Sequence, residues 1–128
     1  MTADVAAEPA VLAPIEAYIA ALNQHDIAGI RAAFHYPHVQ LRAGKVEVYA
    51  APSDVSYDGF YRRMAKQDWQ RSTFDGHRVA LAGPDKVHLD VWFTRWRRDG
   101  SAIGTHHSLY TVTRIDGRWG IQSNSSYG

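Results

Sequence analysis

Across residues 10–24 the apolar positions Leu12, Ile15, Ile19 and Leu22 recur at helical spacing with Tyr18 beside them, which predicts a first helix with one buried face. Pro14 falls near its start, where a missing amide hydrogen costs little. Asp26 is the predicted N-cap of a short second helix that carries Ile27, Ile30 and Phe34 and ends before Pro37. Residues 39–41 and 46–49 alternate apolar and polar around Ala43-Gly44, the pattern of a small hairpin. Pro52-Ser53-Asp54, with Ser53 as cap, opens a third predicted helix through Val55, Tyr57, Phe60, Tyr61 and Met64 to residue 68. The remainder reads as strand, at 70–82, 86–98, 102–115 and 118–126. Residues 1–9 are small and polar and are expected to be flexible, and 10–128 form one domain.

The turns between these strands set a register. Asp99-Gly100 and Asp116-Gly117 are strong hairpin signals, because type I′ turns need positive φ at both central positions. The first pairs Phe93 with His106, Val91 with Ser108, Leu89 with Tyr110 and Val87 with Val112. The second pairs Val112 with Ile121, Tyr110 with Ser123 and Ser108 with Ser125. A three-residue loop at Gly83-Pro84-Asp85 keeps Val79 and Leu81 beside Leu89 and Val87, and it sets His77 against Val91 and Asp75 against Phe93.

Directly paired residues share a face, so one face carries Val87, Leu89, Val91, Phe93, Tyr110, Val112, Trp119 and Ile121 and covers a core. That face turns polar toward one end, at Asp75, His77, His106, Ser108, Ser123 and Ser125. The opposite face carries Trp92, Trp96, His107 and Asn124, with Arg78 across from Asp90. Two large indoles on a half-polar sheet face suit a homodimer contact.

Composition narrows the function. The 128 residues contain no cysteine, which removes disulfide scaffolds, thiolate metal sites and cysteine nucleophiles. A formal net charge of +1 with mixed signs gives no basic stripe, so no nucleic-acid partner is expected. No basic leader precedes a long apolar run, and no apolar run is long enough for a membrane helix, so the expectation is a cytoplasmic protein with no membrane partner. Fifteen aromatic residues are many for this length and supply material for a core, a pocket or an interface.

The polar end of the inward face holds the candidate chemistry. Asp75 and His106 flank Phe93 in the derived register, with His77 nearby, and a carboxylate close to imidazole at the mouth of an apolar pocket suits proton abstraction beside a carbonyl, or dehydration. Asp75 is the expected base, with His106 or His77 as the partner acid. Tyr18 would polarise the carbonyl, and Tyr57, Phe93, Ser108, Tyr110 and Ser123 would line a pocket for a small hydrophobic molecule. No metal site is expected, since consecutive strand residues His106 and His107 point to opposite faces. Arg95, Arg97 and Arg98 beside a hairpin turn read as a solvated tip.

Several scaffold features together carry a family resemblance. These are the Ala-rich opening helix with Tyr18, Phe34-His35-Tyr36-Pro37, Phe93-Thr94-Arg95-Trp96 before Asp99-Gly100-Ser101, and Asp116-Gly117-Arg118-Trp119-Gly120-Ile121. In this combination the chain resembles the nuclear transport factor 2-like superfamily, and within it the SnoaL-like proteins, over essentially its whole length. The resemblance implies an α+β cone, three N-terminal helices packed on a highly curved antiparallel sheet, usually dimeric. It also implies cofactor-independent isomerase, cyclase or dehydratase chemistry, with a non-catalytic ligand-binding or dimerisation module as the alternative. The tyrosine-plus-two-aspartate set of ketosteroid isomerase and the Arg-Asp pair of limonene epoxide hydrolase are not matched. The Asp and His of the polyketide cyclases and scytalone dehydratase are closer in residue type.

Overall fold

A computed structural model of the chain describes residues 7–127, which leaves most of the expected flexible tail outside the described residues. Helix α1 (Pro9–Asn23) and helix α2 (Ile27–Ala33) precede strands β1 (Phe34–Arg42) and β2 (Lys45–Tyr49). A 3-10 turn (Pro52–Asp54) leads into α3 (Asp58–Ala65), and strands β3 (Trp69–Ala82), β4 (Lys86–Arg97), β5 (Ala102–Ile115) and β6 (Arg118–Ser125) complete the chain. The six strands form one sheet in the order β2-β1-β6-β5-β4-β3. Every neighbouring pair is antiparallel except β1 with β6, which is parallel.

Helix α1 packs with the concave face of this sheet. Its Ile15 and Leu22 share one core with Leu89, Val91, Val112 and Ile121. Asn23 fixes the helix end to β3 through a reciprocal pair of bonds: its Nδ2 donates to the Ser72 carbonyl and its Oδ1 accepts from the Ser72 amide, both at 2.8 Å. Helix α3 is tied to the same end, where the Tyr61 hydroxyl donates to the Leu22 carbonyl at 2.8 Å and its ring stacks on His25. Among the described residues no helix is long and apolar enough to cross a membrane.

Two of the predicted helices are shorter than their patterns suggested. Phe34 is the first residue of β1 rather than the end of α2, because its ring is needed in the core, where it is 1% exposed. The third helix begins only at Asp58. Before it the chain makes a separate 3-10 turn in which Asp54, not Ser53, accepts the Ala51 amide.

Bulges give the sheet its curvature, since each inserts an unpaired residue that bends and twists its strand. They fall at Gln70, Asp75 and Ala80 in β3, at Ile103 in β5 and at Gln122 in β6. The β4–β5 pairing of Val87 with Val112, Leu89 with Tyr110, Val91 with Ser108 and Phe93 with His106 is as the turn predicted. It is reached by two offsetting departures. Gly100 alone has positive φ, in a three-residue loop closed by Arg97 and Ser101, and the bulge at Ile103 restores the register. At Asp116-Gly117 both residues do have positive φ.

Three bulges overturn specific expectations. At Ala80 the shift sets Leu81 opposite His88 instead of Val87, so Leu81 leaves the inward face and is exposed. At Asp75 the inward position opposite Phe93 goes to Phe74, and Asp75 is the unpaired residue. Its carboxylate turns to the outer face, where it accepts from the Thr73 hydroxyl at 2.7 Å and the Thr94 hydroxyl at 2.5 Å. At Gln122 the register shifts so that Tyr110 faces Asn124 and Thr111 faces Ser123. Ser123 therefore lies on the outer face and Asn124 on the inner one, the reverse of the expected order.

Candidate functional site

The concave face, α1, α3 and the β1–β2 hairpin enclose a cavity of about 280 Å³. Its aromatic wall consists of Tyr18, Tyr49, Tyr57, Phe60, Phe93 and Tyr110. Tyr18, Tyr57, Phe93, Ser108, Tyr110 and His106 were all anticipated at the site, and all line it. Asp75, His77 and Ser123 do not. His77 instead accepts the Ala7 amide on its Nε2 at 3.1 Å and packs near Phe74, so it anchors the entry to α1. Asp75, His77 and His106 consequently do not converge, and no group of three metal-binding side chains occurs among the described residues.

A hydrogen-bonded chain runs from the core to the cavity. The Ile121 carbonyl can only accept, so His38 Nδ1 donates to it at 2.9 Å and Nε2 is left as an acceptor. Burial pushes the His38 pKa down to about 4, so the imidazole is neutral. Gln40 Nε2 lies 3.5 Å from His38 Nε2 and donates to the Tyr57 hydroxyl at 3.1 Å. The Tyr57 and Tyr18 hydroxyls are 2.9 Å apart. One of these tyrosines donates to the other, which leaves one O–H hydrogen free to bond elsewhere. Burial raises both hydroxyls well above the ordinary tyrosine pKa, so they are donors at neutral pH.

His106 lies on the sheet side of the cavity, paired with Phe93 on β4. Its Nε2 is buried and has no hydrogen-bond partner among the described residues. Burial first, and the Arg95 guanidinium second, lower its pKa below the ordinary histidine value. A neutral imidazole with one uncommitted ring nitrogen is a competent proton acceptor or donor, depending on its tautomer.

Charged residues missed from the sequence complete the lining. Arg95 belongs to the cavity and not to a solvated hairpin tip, and its guanidinium sits 5.6 Å from the centre of the Phe60 ring. Burial lowers its pKa. At the β1–β2 side, Glu47 bonds Arg42, lies 3.6 Å from Lys45 and accepts the Tyr49 hydroxyl at 2.9 Å. Alternation from Phe93 would have found Arg95, since residues two apart on a strand share a face.

The outer sheet face carries a separate polar array. Asp90 accepts from Arg78 Nη2 at 2.9 Å and lies 2.7 Å from His107 Nε2, and His107 stacks flat on Trp92. The bonds from Arg78 and then His107 hold the Asp90 carboxyl below the usual carboxylate range.

Comparison with known proteins gives a consistent fold. A family model described as "NTF2-like protein (DUF6841)" matches residues 11–127. No functionally curated protein matches the sequence. Among solved structures, an NTF-2 like protein of unknown function from Shewanella oneidensis MR-1 is 14% identical, covering 92% of this chain and 96% of its own, with a TM-score of 0.72. A ketosteroid isomerase-like protein from Erwinia carotovora atroseptica is 15% identical over 92% of each chain, with a TM-score of 0.65. A protein from Catenulispora acidiphila, solved in complex with S-DNPA, is 16% identical over 91% of this chain and 90% of its own, with a TM-score of 0.68. At these identities the likeness is one of fold.

Proposed function

Since the chain belongs to the NTF2-like DUF6841 family, we propose that its cavity binds a small conjugated carbonyl compound and catalyses proton transfer on it without a cofactor. The observation that carries this reading is the pair of buried neutral tyrosine hydroxyls, backed by Gln40, in one cavity with His106, whose Nε2 has no hydrogen-bond partner among the described residues.

The free tyrosine hydrogen bonds the substrate carbonyl oxygen. Neutral His106 takes a proton from the carbon next to that carbonyl; the C–H electrons form a carbon–carbon double bond and the oxygen becomes an enolate. The tyrosine O–H stabilises this charge in a site of low polarity, where such a donor is most effective. Return of the proton to a different carbon completes an isomerisation; in a dehydration the enolate electrons form the new double bond as the β C–O bond breaks, and His106 gives its proton to the departing hydroxyl, which leaves as water. Asp75, the base first expected from the register, is replaced in this role by His106, because Asp75 is bonded to threonines on the other face. The same fold in a ketosteroid isomerase-like protein supports the reaction class by analogy.

The test is solvent deuterium exchange into a panel of cyclic enones and β-hydroxyketones, followed by NMR. Exchange that falls by about 10²–10⁴-fold in His106→Gln supports the mechanism, that being the usual contribution of a general base. An unchanged rate in His106→Gln, or no exchange with any member, rejects it.

A further inference from the structure

We infer that the ligand carries a second oxygen function, a hydroxyl on a ring remote from the carbonyl, and that Ser108, Tyr110 and Asn124 on the sheet side of the cavity receive it. This rests on the carbonyl-binding reading above and adds the substitution of the substrate.

The two walls of the cavity differ in how their polar groups are satisfied. On the helix side, Tyr18, Tyr57 and Gln40 bond one another. On the sheet side, Ser108, Tyr110 and Asn124 line the same space, and none of their side chains has a hydrogen-bond partner among the described residues. Ser108 is 8% exposed and Tyr110 4%, so neither is a solvated surface group. A buried polar group without a partner costs about 1–3 kcal/mol, which makes the contents of the cavity its remaining source of a partner.

The three side chains form one patch. Ser108 and Tyr110 are successive inward positions of β5, and Asn124 is the direct partner of Tyr110 on β6. Their β4 partners, Val91 and Leu89, are apolar, so the patch ends there. Asn124 faces inward because of the bulge at Gln122; unbroken alternation would have put Ser123 opposite Tyr110. Bulges beside sites re-aim side chains, and this one sets an amide in the cavity wall where a serine would otherwise stand.

The chemistry of the patch selects a hydroxyl. The Ser108 and Tyr110 hydroxyls each donate and accept, and Asn124 adds an amide donor and a carbonyl acceptor. A ligand hydroxyl meets such a mixed set because it also does both, whereas an ether or carbonyl oxygen only accepts. Ser108 is one inward position from His106, about 7 Å along the strand, and Tyr110 is one further. The hydroxyl therefore sits away from the carbon that His106 deprotonates. Six aromatic rings around the space favour a flat, unsaturated body. About 280 Å³ is at or just below the small end of ligand pockets, roughly 300–1,000 Å³, which fits a mono- or bicyclic ketone and is tight for a tetracycle.

Three matched ketones test this on the whole chain by calorimetry at mildly acidic pH, where the added phenol is neutral: 1-tetralone, 6-hydroxy-1-tetralone and 6-methoxy-1-tetralone. The hydroxy ketone is expected to bind about three- to tenfold tighter than the parent, the value of one net hydrogen bond. The methoxy ketone, with similar electronic character but no hydrogen to donate, should bind no better than the parent. The hydroxyl preference should be lost in Asn124→Ala and reduced in Tyr110→Phe, while affinity for the parent ketone stays unchanged in both, as an intact cavity requires. Equal affinity for all three ketones means that water alone serves the patch, and it overturns the inference while leaving the carbonyl-binding reading intact. So does a methoxy ketone that matches the hydroxy one, or a full hydroxyl preference that survives in either variant. Failure of all three ketones to bind removes both.

Discussion

The hydroxyls of Tyr18 and Tyr57 stand 2.9 Å apart, and Gln40 reaches only the second of them, at 3.1 Å. The two tyrosines are therefore not equivalent. Tyr57→Phe takes the hydroxyl partner from both Gln40 and Tyr18 and leaves Gln40 Nε2 only its 3.5 Å contact with His38, whereas after Tyr18→Phe the Tyr57 hydroxyl is still bonded by Gln40. Leaving a buried polar group unsatisfied costs about 1–3 kcal/mol. Urea denaturation is expected to show Tyr57→Phe as the more destabilised variant by roughly 1 kcal/mol. Equal losses would mean that Gln40 does not depend on Tyr57.

Gly120 is a packing requirement. A Cβ there would lie 2.9–3.0 Å from three atoms of the His35 ring, which is buried and bonded to the Thr113 hydroxyl. Gly120→Ala should lower stability by about 1–3 kcal/mol through overpacking. Adding His35→Ala removes the obstructing ring, so the double variant should lose less than the sum of the two single changes, with a coupling of about 0.5–3 kcal/mol in thermal unfolding. Strict additivity would place the strain elsewhere.

How far the sequence could be read depended on what each residue was deciding. The Asp-Gly turns and the alternation of Val87, Leu89, Val91 and Phe93 are local facts, and the β4–β5 register follows from them. The bulges at Asp75 and Gln122 are not local, because they belong to the curvature of the sheet over α1. Phe74 was the available clue. Placing an aromatic inward and its acidic neighbour outward satisfies burial better than the uninterrupted alternation that put Asp75 inside. Arg95 was legible from its spacing to Phe93 and was misread because a cation near a turn is ordinarily solvated. The Tyr18–Tyr57–Gln40 chain joins three separate elements, so no spacing along the sequence could have exposed it.

The outer face carries the homodimer proposal. Trp92 is held flat on His107, and His107 and Arg78 both engage Asp90, so the indole is presented in a fixed position on the exposed side of the sheet. Exposed Leu109 pairs with Asp90 on the same face. Asn124, first placed in this contact, faces the cavity and takes no part. Light scattering during size exclusion should give twice the chain mass at micromolar concentration, and Trp92→Glu should halve it with an unchanged circular dichroism spectrum. A wild-type mass of one chain removes the interface.

His38 makes stability depend on pH in a stated direction. It is fully buried, stacked on Phe34 and neutral, with its pKa pushed down to about 4 from an ordinary value near 6.5. Between these values the unfolded chain binds a proton that the folded chain does not. The contribution is therefore complete above about pH 6.5 and declines as pH falls toward the folded value, by about 1.4 kcal/mol per pH unit and up to about 3 kcal/mol in all. His35 and His106 are shifted in the same direction and steepen the loss. His38→Asn retains an amide donor for the Ile121 carbonyl but has nothing to titrate. It should be less stable than wild type near pH 7, having lost the ring stack, yet its unfolding free energy should fall less between about pH 7 and pH 5. Parallel slopes for the two proteins would assign the acid sensitivity to the other histidines.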